Sequence, residues 1–159
     1  MSEYDIRWAE EKDIESIMDM LHRLKVLNSE FDRHFSVRDD FSSEVKKYLK
    51  ECINNREDFL ILIAEIEDKI VSLLKIDIRH RIYYEPKLEA RITEFYIMPE
   101  YRRRSLGTML INEAIRSLKQ RGIKILTTEF PTLNLIASSF FKDKGFRDMI
   151  SILVKDLEE

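Results

Sequence analysis

Two hydrophobic periods alternate along the chain, and each predicts a different kind of element. Where apolar residues run together or alternate with polar ones, we predict strands, at residues 5–9, 59–66, 70–82, 91–98, 124–130 and 146–157. Where they recur every three or four residues, we predict helices, beginning near residues 13, 42, 105 and 133. Gly122 and Gly145 follow the last two helices, as C-terminal caps do.

The strand at 70–82 changes character along its length. Beyond Leu73, three apolar residues alternate with three charged ones, in the order Leu74, Lys75, Ile76, Asp77, Ile78, Arg79. Because successive side chains of a strand point to opposite faces, this pattern predicts one solvated face from Lys75 onward.

The order of these elements is β-α-α-β-β-β-α-β-α-β. Helices that alternate with strands in this way must cover both faces of a mixed sheet, so we predict an α/β fold. With 159 residues, the chain is long enough for one core, and we treat residues 1–159 as a single domain.

Composition and charge exclude several classes of function. The chain is 44% apolar and 36% charged with a net charge of −3, which does not favour general nucleic-acid binding. No apolar run approaches the length of a membrane span and no signal peptide is evident, so we expect no membrane partner and a cytoplasmic location. Cys52, the one cysteine, falls on the apolar stripe of a helix, which favours a buried hydrophobe over a nucleophile. No Cys/His spacing suggests a metal site.

A basic loop joins the strand that ends at Pro99 to the helix that begins near residue 105. It carries Arg102, Arg103 and Arg104, followed by the small residues Ser105 and Gly107. A helix N-terminus exposes unpaired N–H groups that stabilise an anion, and arginines add bidentate donors. The segment therefore predicts a pyrophosphate site, although a solvated basic turn before an ordinary helix explains these residues equally well.

Two motifs at this point resemble the GNAT superfamily of acyl-CoA-dependent N-acetyltransferases, and the likeness runs over nearly the whole chain. The first is Ile97-Met98-Pro99 followed by a Q/R-x-x-G-x-G/A pattern, in which Arg102 and Gly107 match and Ser105 replaces the first glycine. The second comprises Asn134, Ala137, the pair Phe140-Phe141 and the dipeptide Gly145-Phe146. Two such motifs in the correct order carry more weight than either alone.

The resemblance implies a sheet splayed at its central strand, with helices on both faces, and acetyl-CoA as co-substrate with no metal. The pyrophosphate is then expected on the loop and helix start: Arg102, Arg103, Arg104, Ser105, Leu106, Gly107 and Thr108. The pantetheine arm is expected along Phe95, Tyr96 and Ile97, as an added strand would lie, with Asn134 and Phe141 also near the cofactor.

The family mechanism, direct attack by an amine, requires a proton acceptor. Two carboxylates are candidates: Glu129 near the end of the strand 124–130, and Glu94 in the central strand. We favour Glu129 and expect partial desolvation to raise its pKa. Phe141 stands where many members have a tyrosine that protonates the leaving thiolate, and phenylalanine cannot donate.

The acceptor is expected to be a primary amine, on a small molecule or a peptide. The loop at residues 28–40 contains His34, Asp32, Glu30, Asp39 and Asp40, which favour a cationic acceptor or are simply solvated. The alternative function is a catalytically weak acyl-CoA-binding module, a hypothesis that Ser105 and Phe141 keep open. A homodimer also remains open.

Overall fold

The computed structural model describes residues 3–102 and 105–158. Its strands are β1 (Asp5–Trp8), β2 (Phe59–Ile66), β3 (Lys69–His80), β4 (Leu88–Ile97) and β5 (Leu126–Thr128). Its α-helices are α1 (Ile14–Ser29), α2 (Phe41–Ile53), α3 (Leu106–Gln120) and α4 (Leu135–Asp143). Short 3₁₀ turns precede α1, α2 and α3.

The described strands form one sheet in the order β1-β2-β3-β4-β5. The first four strands are antiparallel, and β5 is parallel to β4. Two residues with positive φ, Glu67 and Asp68, make the tight turn between β2 and β3. The predicted mixed α/β fold is confirmed.

Helices cover both faces of the sheet, and each face has its own apolar core. On one face, α1 and α2 pack against Ile61, Ile63 and Leu73 of the sheet. On the other, α3 packs against residues such as Leu62 and Leu74. Cys52 lies in the first core and is buried, and burial raises the pKa of its thiol, which confirms the structural interpretation of this cysteine. None of the helices in residues 3–102 and 105–158 has the length and apolarity needed to cross a membrane.

The sheet is splayed between β4 and β5. The two strands pair only over Ala90–Ile92, while β4 continues to Ile97 against β3. At the point of separation β4 contains one extra residue, Thr93, opposite the Lys75–Ile76 step of β3. Such a bulge bends its strand and changes which backbone groups face each neighbour. The C-terminal half of β4 thus has an edge that β5 does not cover.

The prediction that one face of β3 is solvated from Lys75 onward is wrong for Lys75 itself. Lys75 is only 3% exposed, because α2 extends over this part of the sheet. Its ammonium is held by Asp77 and by the hydroxyl of Tyr48, and it lies 4.9 Å from the centre of the Phe59 ring. The periodicity identified the face correctly but could not show that a helix covers it.

The last predicted strand, at 146–157, is also wrong. This segment contains neither a helix nor a strand, and it pairs with none of the described strands. Alternation in sequence gives a segment the capacity to form a strand, whereas a ladder also needs an open edge beside it. The other predicted strands and helices are present, with ends that differ by a few residues. Gly122 and Gly145 have the positive φ of C-terminal caps.

Candidate active site

The uncovered edge of β4 presents the backbone of two residues. The carbonyl of Tyr96 accepts a hydrogen bond from Ser72 Oγ at 2.8 Å, so the backbone groups of Tyr96 point toward β3. Because backbone groups alternate along a strand, those of Phe95 and Ile97 point toward the splay. An extended ligand can pair with these groups as an added strand would.

The N-terminus of α3 lies directly beyond this edge. Ser105 precedes the helix in a left-handed conformation, with φ 64° and ψ 5°, and its carbonyl accepts from Met109 N at 3.0 Å. Serine therefore adopts here the conformation that glycine adopts most easily. The first N–H groups of α3, from Leu106 to Thr108, begin a helix of 15 residues whose dipole favours an anion.

Of the three arginines in the basic loop, the structure describes Arg102. Arg102 Nε donates to the carbonyl of Ile97 at 3.0 Å, and its guanidinium lies 5.7 Å from the ring centre of Tyr96. This places one fixed positive charge at the end of the open edge. Arg103 and Arg104, which were also predicted to bind the pyrophosphate, lie outside the described residues.

Gly107 serves helix packing. A Cβ at this position would lie 3.1 Å from the ring of Phe140 and 3.4 Å from Ile97 Cδ1. The missing side chain thus allows α3 to approach α4 and the end of β4. Leu106 likewise buries its side chain in the core. A contact of either residue with a cofactor would use the backbone.

A cleft of about 880 Å³ opens on the other side of the splay. Its aromatic walls come from the loop before α2, from α2 itself and from the residues after β5: Phe31, Phe35, Phe41, Tyr48 and Phe130. Its carboxylates are Asp32, Asp40, Glu44, Glu94 and Glu129, and its cationic or ionisable bases are Lys25, Arg38 and His34. Both predicted catalytic carboxylates therefore line the same cleft.

Glu94 has the more buried carboxylate of the two. Its side chain is 13% exposed, and it accepts from Lys25 Nζ through both oxygens, at 2.5 Å to Oε2. Burial raises the pKa of Glu94, the charges of Lys25 and Lys75 oppose this shift, and the nearby charge of Glu129 adds to it. Its environment is that of a carboxylate whose affinity for a proton has been increased.

Glu129 has a different environment from the one we expected. Its side chain is 49% exposed, and its carboxylate pairs with Arg79, with Nη2 3.6 Å from Oε1. The carboxylate thus lies at the rim of the cleft, where half of the side chain is exposed to water. Glu129 can still attract a cationic acceptor through its charge.

Two residues of the second motif, Asn134 and Phe141, were predicted to lie near the cofactor, and both have contacts within the protein. Asn134 is the N-cap of α4, and its Oδ1 accepts from Ala137 N at 3.1 Å. Phe141 is 4% exposed and lies among four other aromatic rings: Phe95, Phe130, Phe140 and Phe146. Phe95 belongs to β4, so this aromatic cluster packs α4 against the C-terminal half of that strand. The predicted direct contacts of Asn134 and Phe141 with a cofactor stay predictions.

Sequence reasoning missed several residues of the site. Lys25 of α1 pairs with Glu94, although the two are 69 positions apart in the chain. Tyr48 lines the cleft and contacts the buried Lys75, with 2.9 Å between its hydroxyl and Lys75 Nζ. The sequence signal for the contact between Tyr48 and Lys75 was a lysine placed between apolar residues of a strand. We interpreted that lysine as lying on a solvated face.

Comparison with protein families gives one clear match. The sequence profile of the Acetyltransferase (GNAT) family matches residues 8–146. An uncharacterised N-acetyltransferase of Methanocaldococcus jannaschii is 26% identical over 145 residues, which cover 91% of this chain and 61% of that protein. A spermidine N(1)-acetyltransferase of Thermoplasma acidophilum is 25% identical over 113 residues, covering 70% of this chain and 65% of that protein. The chain thus spans about three fifths of the length of the first relative.

Solved structures share the fold. A predicted acetyltransferase of Clostridium acetobutylicum, crystallised with acetyl-CoA, has a TM-score of 0.80 at 19% identity and covers 98% of this chain and 97% of its own. The PaiA N-acetyltransferase of Thermoplasma acidophilum in complex with coenzyme A has a TM-score of 0.74 at 21% identity, covering 92% and 91%. At these identities the likeness concerns the fold.

Proposed function

Because the chain belongs to the Acetyltransferase (GNAT) family, we propose that it transfers an acetyl group from acetyl-CoA to a primary amine. The observation that supports this most is the splay of the sheet. It leaves the edge of β4 at Phe95 and Ile97 uncovered by β5, beside the N-terminus of α3, with the carbonyl of Ile97 bonded to Arg102 Nε. It also joins this edge to the cleft that contains Glu94. A thioester bound along the edge would place its carbonyl next to that cleft.

In the proposed reaction, the pantetheine arm pairs with the open edge of β4, and the pyrophosphate lies at the start of α3. The amine enters from the cleft and attacks the thioester carbonyl directly, so no covalent enzyme intermediate forms. A backbone N–H of β4 stabilises the oxyanion that develops. The tetrahedral intermediate then expels the CoA thiolate, whose pKa, about 8.5 if it resembles cysteine, lets it leave without the tyrosine that Phe141 replaces.

The proton of the attacking amine goes to Glu94. An alkylamine with a pKa of about 10.4 is almost entirely protonated at neutral pH, so a base must take up a proton before or during attack. Glu94 lines the cleft and has its pKa raised by burial, whereas Glu129 is hydrated at the rim. We therefore assign the base to Glu94 and give Glu129 the role of attracting the acceptor.

The charge of the cleft favours a cationic acceptor. Five carboxylates line it against two permanent cations, Lys25 and Arg38. Both cations are already paired, Lys25 with Glu94 and Arg38 with Asp40 and Glu44. The aromatic rings of the walls add surfaces that attract ammonium groups. A polyamine-like molecule fits this chemistry better than an acidic peptide, in keeping with the relative named for spermidine.

The function is tested with purified protein, acetyl-CoA and a panel of amines. The panel should contain a polyamine, an aminoglycoside, a peptide with a free N-terminus and an acidic peptide. We expect release of free thiol with the polyamine and a product heavier by one acetyl group. Binding of acetyl-CoA without thiol release for any amine would instead support the acyl-CoA-binding module.

The contribution of Arg102 to the cofactor site gives a first prediction. Its guanidinium lies at the end of the open edge, so Arg102→Ala should weaken acetyl-CoA binding by roughly 10- to 100-fold, the scale of one hydrogen bond to a charged group. Calorimetric titration of both proteins with acetyl-CoA measures the change. Unchanged affinity would remove Arg102 from the site.

Ser105→Gly is the matched control in the same loop. Glycine adopts the left-handed conformation of this position without steric cost, so acetyl-CoA affinity should stay at or above that of the wild type. A clear loss of affinity in this variant would show that the serine hydroxyl itself binds the phosphates.

A further inference from the structure

One lysine of the chain lies where the amine of an acceptor has to bind. Lys25 lines the cleft, and of the lysines in the described ranges it is the one that does so. Its Nζ donates to both carboxylate oxygens of Glu94, with 2.5 Å to Oε2. A primary amine of the protein thus contacts the carboxylate to which we assign the base, inside the site where acetyl transfer is proposed.

Helix α1 fixes the place of this lysine. Leu21 and Ile17, one and two turns earlier, are buried in the core between α1 and the sheet. Residues four positions apart lie on the same side of a helix, so Lys25 extends this apolar stripe beyond the core. The same core contains Tyr96, which lies two residues after Glu94 and therefore on the same face of β4. The two faces that carry Lys25 and Glu94 are thus packed against each other.

The amine also lies close to the edge where the thioester is expected. Glu94 directly precedes Phe95 in the part of β4 that β5 does not cover, and a strand advances only about 3.3 Å per residue. An amine bonded to Glu94 therefore lies beside the part of the edge at which the proposed reaction places the thioester carbonyl.

Lys25 is accessible from the cleft, in contrast to the second lysine near Glu94. The side chain of Lys25 is 37% exposed. Lys75, which is opposite Glu94 in the register of β3 and β4, is buried, and its ammonium is held by Asp77 and Tyr48. Of these two amines, that of Lys25 is the one that a bound thioester can reach.

We propose that Lys25 is a self-acetylation site, modified by acetyl-CoA bound to the same chain when no other amine occupies the cleft. This inference rests on the proposed function, because it uses the same cofactor edge and the same base. It differs in the acceptor, which is a side chain of the protein. An added amine competes with Lys25, since both need the carboxylate of Glu94.

The reaction balances as a transfer to one amine. Glu94 takes a proton from the ammonium of Lys25, and the neutral amine attacks the thioester carbonyl. The C–N bond forms, the C–S bond breaks, and CoA leaves as the thiolate. The nitrogen loses a second proton, which reaches the thiolate through solvent, and Glu94 releases its proton to solvent. The products are Nε-acetyl-Lys25, the free thiol of CoA and one proton.

The modification is tested by incubating the purified protein with acetyl-CoA alone. Peptide mass spectrometry before and after incubation gives the acetylated fraction of each lysine. We expect Lys25 to be acetylated faster than Lys46, whose side chain is 60% exposed and pairs with Glu15 at the surface. Chemical acetylation without the site favours the more exposed lysine. Acetylation of Lys25 that is no faster than that of Lys46 would therefore overturn the proposal.

Three variants make the assignment specific. Lys25→Arg keeps a cation beside Glu94, but a guanidinium stays protonated and does not attack, so the modification at this position should disappear. Lys46→Arg is the matched control at a surface lysine and should leave acetylation of Lys25 unchanged. Glu94→Gln should slow this acetylation by roughly 10²–10⁴-fold, the range for loss of a general base. Acetylation of Lys25 at the wild-type rate in Glu94→Gln would contradict the proposed role of the ion pair.

Protein concentration separates reaction within one chain from reaction between chains. Because Lys25 and Glu94 touch within one chain, the rate per molecule at saturating acetyl-CoA should not change when the protein is diluted. A rate per molecule that rises with protein concentration would show that one copy modifies another, and the proposed reaction within the chain would be wrong.

A polyamine added together with acetyl-CoA distinguishes this inference from the proposed function. We expect the polyamine to slow acetylation of Lys25. Acetylated polyamine, with Lys25 unmodified when the polyamine is left out, would overturn self-acetylation and leave the proposed function intact. Acetyl-Lys25 without a product from any amine of the panel would support self-acetylation and overturn the proposed class of acceptor. If acetyl-CoA binds and neither reaction occurs, both proposals are wrong.

Discussion

Glu94→Gln is expected to lower the rate of acetyl transfer by roughly 10²–10⁴-fold, the range usual for loss of a general base. Glutamine keeps the size of the side chain but cannot accept the proton that the attacking amine must lose. Steady-state thiol release at saturating acetyl-CoA measures this loss. Acetyl-CoA affinity should stay near that of the wild type, because the carboxylate faces the cleft and not the N-terminus of α3.

The pH dependence separates loss of a base from loss of structure. Burial raises the pKa of Glu94, so this carboxylate is protonated, and inactive as a base, up to a higher pH than an ordinary glutamate. The wild-type rate should therefore rise with pH through an ionisation above the usual glutamate range. The glutamine variant should lack this ionisation and keep only the rise caused by deprotonation of the amine itself.

Glu129→Gln is the matched control, because it removes a carboxylate from the rim of the same cleft. Since Glu129 is half exposed, we expect this variant to bind a cationic acceptor more weakly, with a raised KM and a nearly unchanged kcat. The reverse result, an inactive Glu129→Gln and an active Glu94→Gln, would move the base to Glu129. Normal turnover in both variants would leave solvent as the proton acceptor.

Lys75→Met is expected to destabilise the fold by about 2–4 kcal/mol, because removing one partner of a buried ion pair leaves the other uncompensated. Lys75 Nζ donates to Asp77 at 2.5 Å and to Tyr48 at 2.9 Å. Burial lowers the pKa of Lys75, but these hydrogen bonds outweigh it, so the net shift is upward and the ammonium stays charged. Methionine fills the space but leaves the carboxylate of Asp77 without its cation. Chemical denaturation measures the loss.

Two further variants make this prediction specific. Replacing both charges, with Lys75→Met and Asp77→Leu together, should recover most of the lost stability, since no unpaired buried charge remains. Lys46→Met breaks an exposed ion pair with Glu15 and should change the free energy of unfolding very little. Equal losses in Lys46→Met and Lys75→Met would contradict the assignment of a buried pair.

Local pattern was enough to predict most of the fold. The spacing of apolar residues predicted the helices and five of the strands, and Gly122 and Gly145 predicted where two helices end. These signals are local, because each depends only on residues a few positions apart. The order of elements and the two motifs were enough to identify the family, which the profile over residues 8–146 supports. Glu94 and Glu129, which the sequence predicted as candidate bases, both line one cleft, and their catalytic roles stay predictions.

Only the tertiary structure decided the environments of the charged residues. Glu94 pairs with Lys25 of α1, which is far from it in the sequence. Lys75 is buried under α2, whereas Glu129 is half exposed to water. Glu94, Lys75 and Glu129 all lie in strands or close to strand ends. The pKa of a carboxylate depends on burial and on charges within a few ångströms, and neither is encoded in its sequence neighbours.

The segment 146–157 shows the same division between sequence and structure. Its alternating residues determine that it can be a strand, but pairing also depends on an edge that lies beside it, and none of the described strands pairs with this segment. Sequence by itself therefore determined the types and order of the elements and the family. The fold alone decided which charges are buried, which edge of β4 is open and which strand-forming segment lacks a partner, because these depend on contacts between residues far apart in the chain.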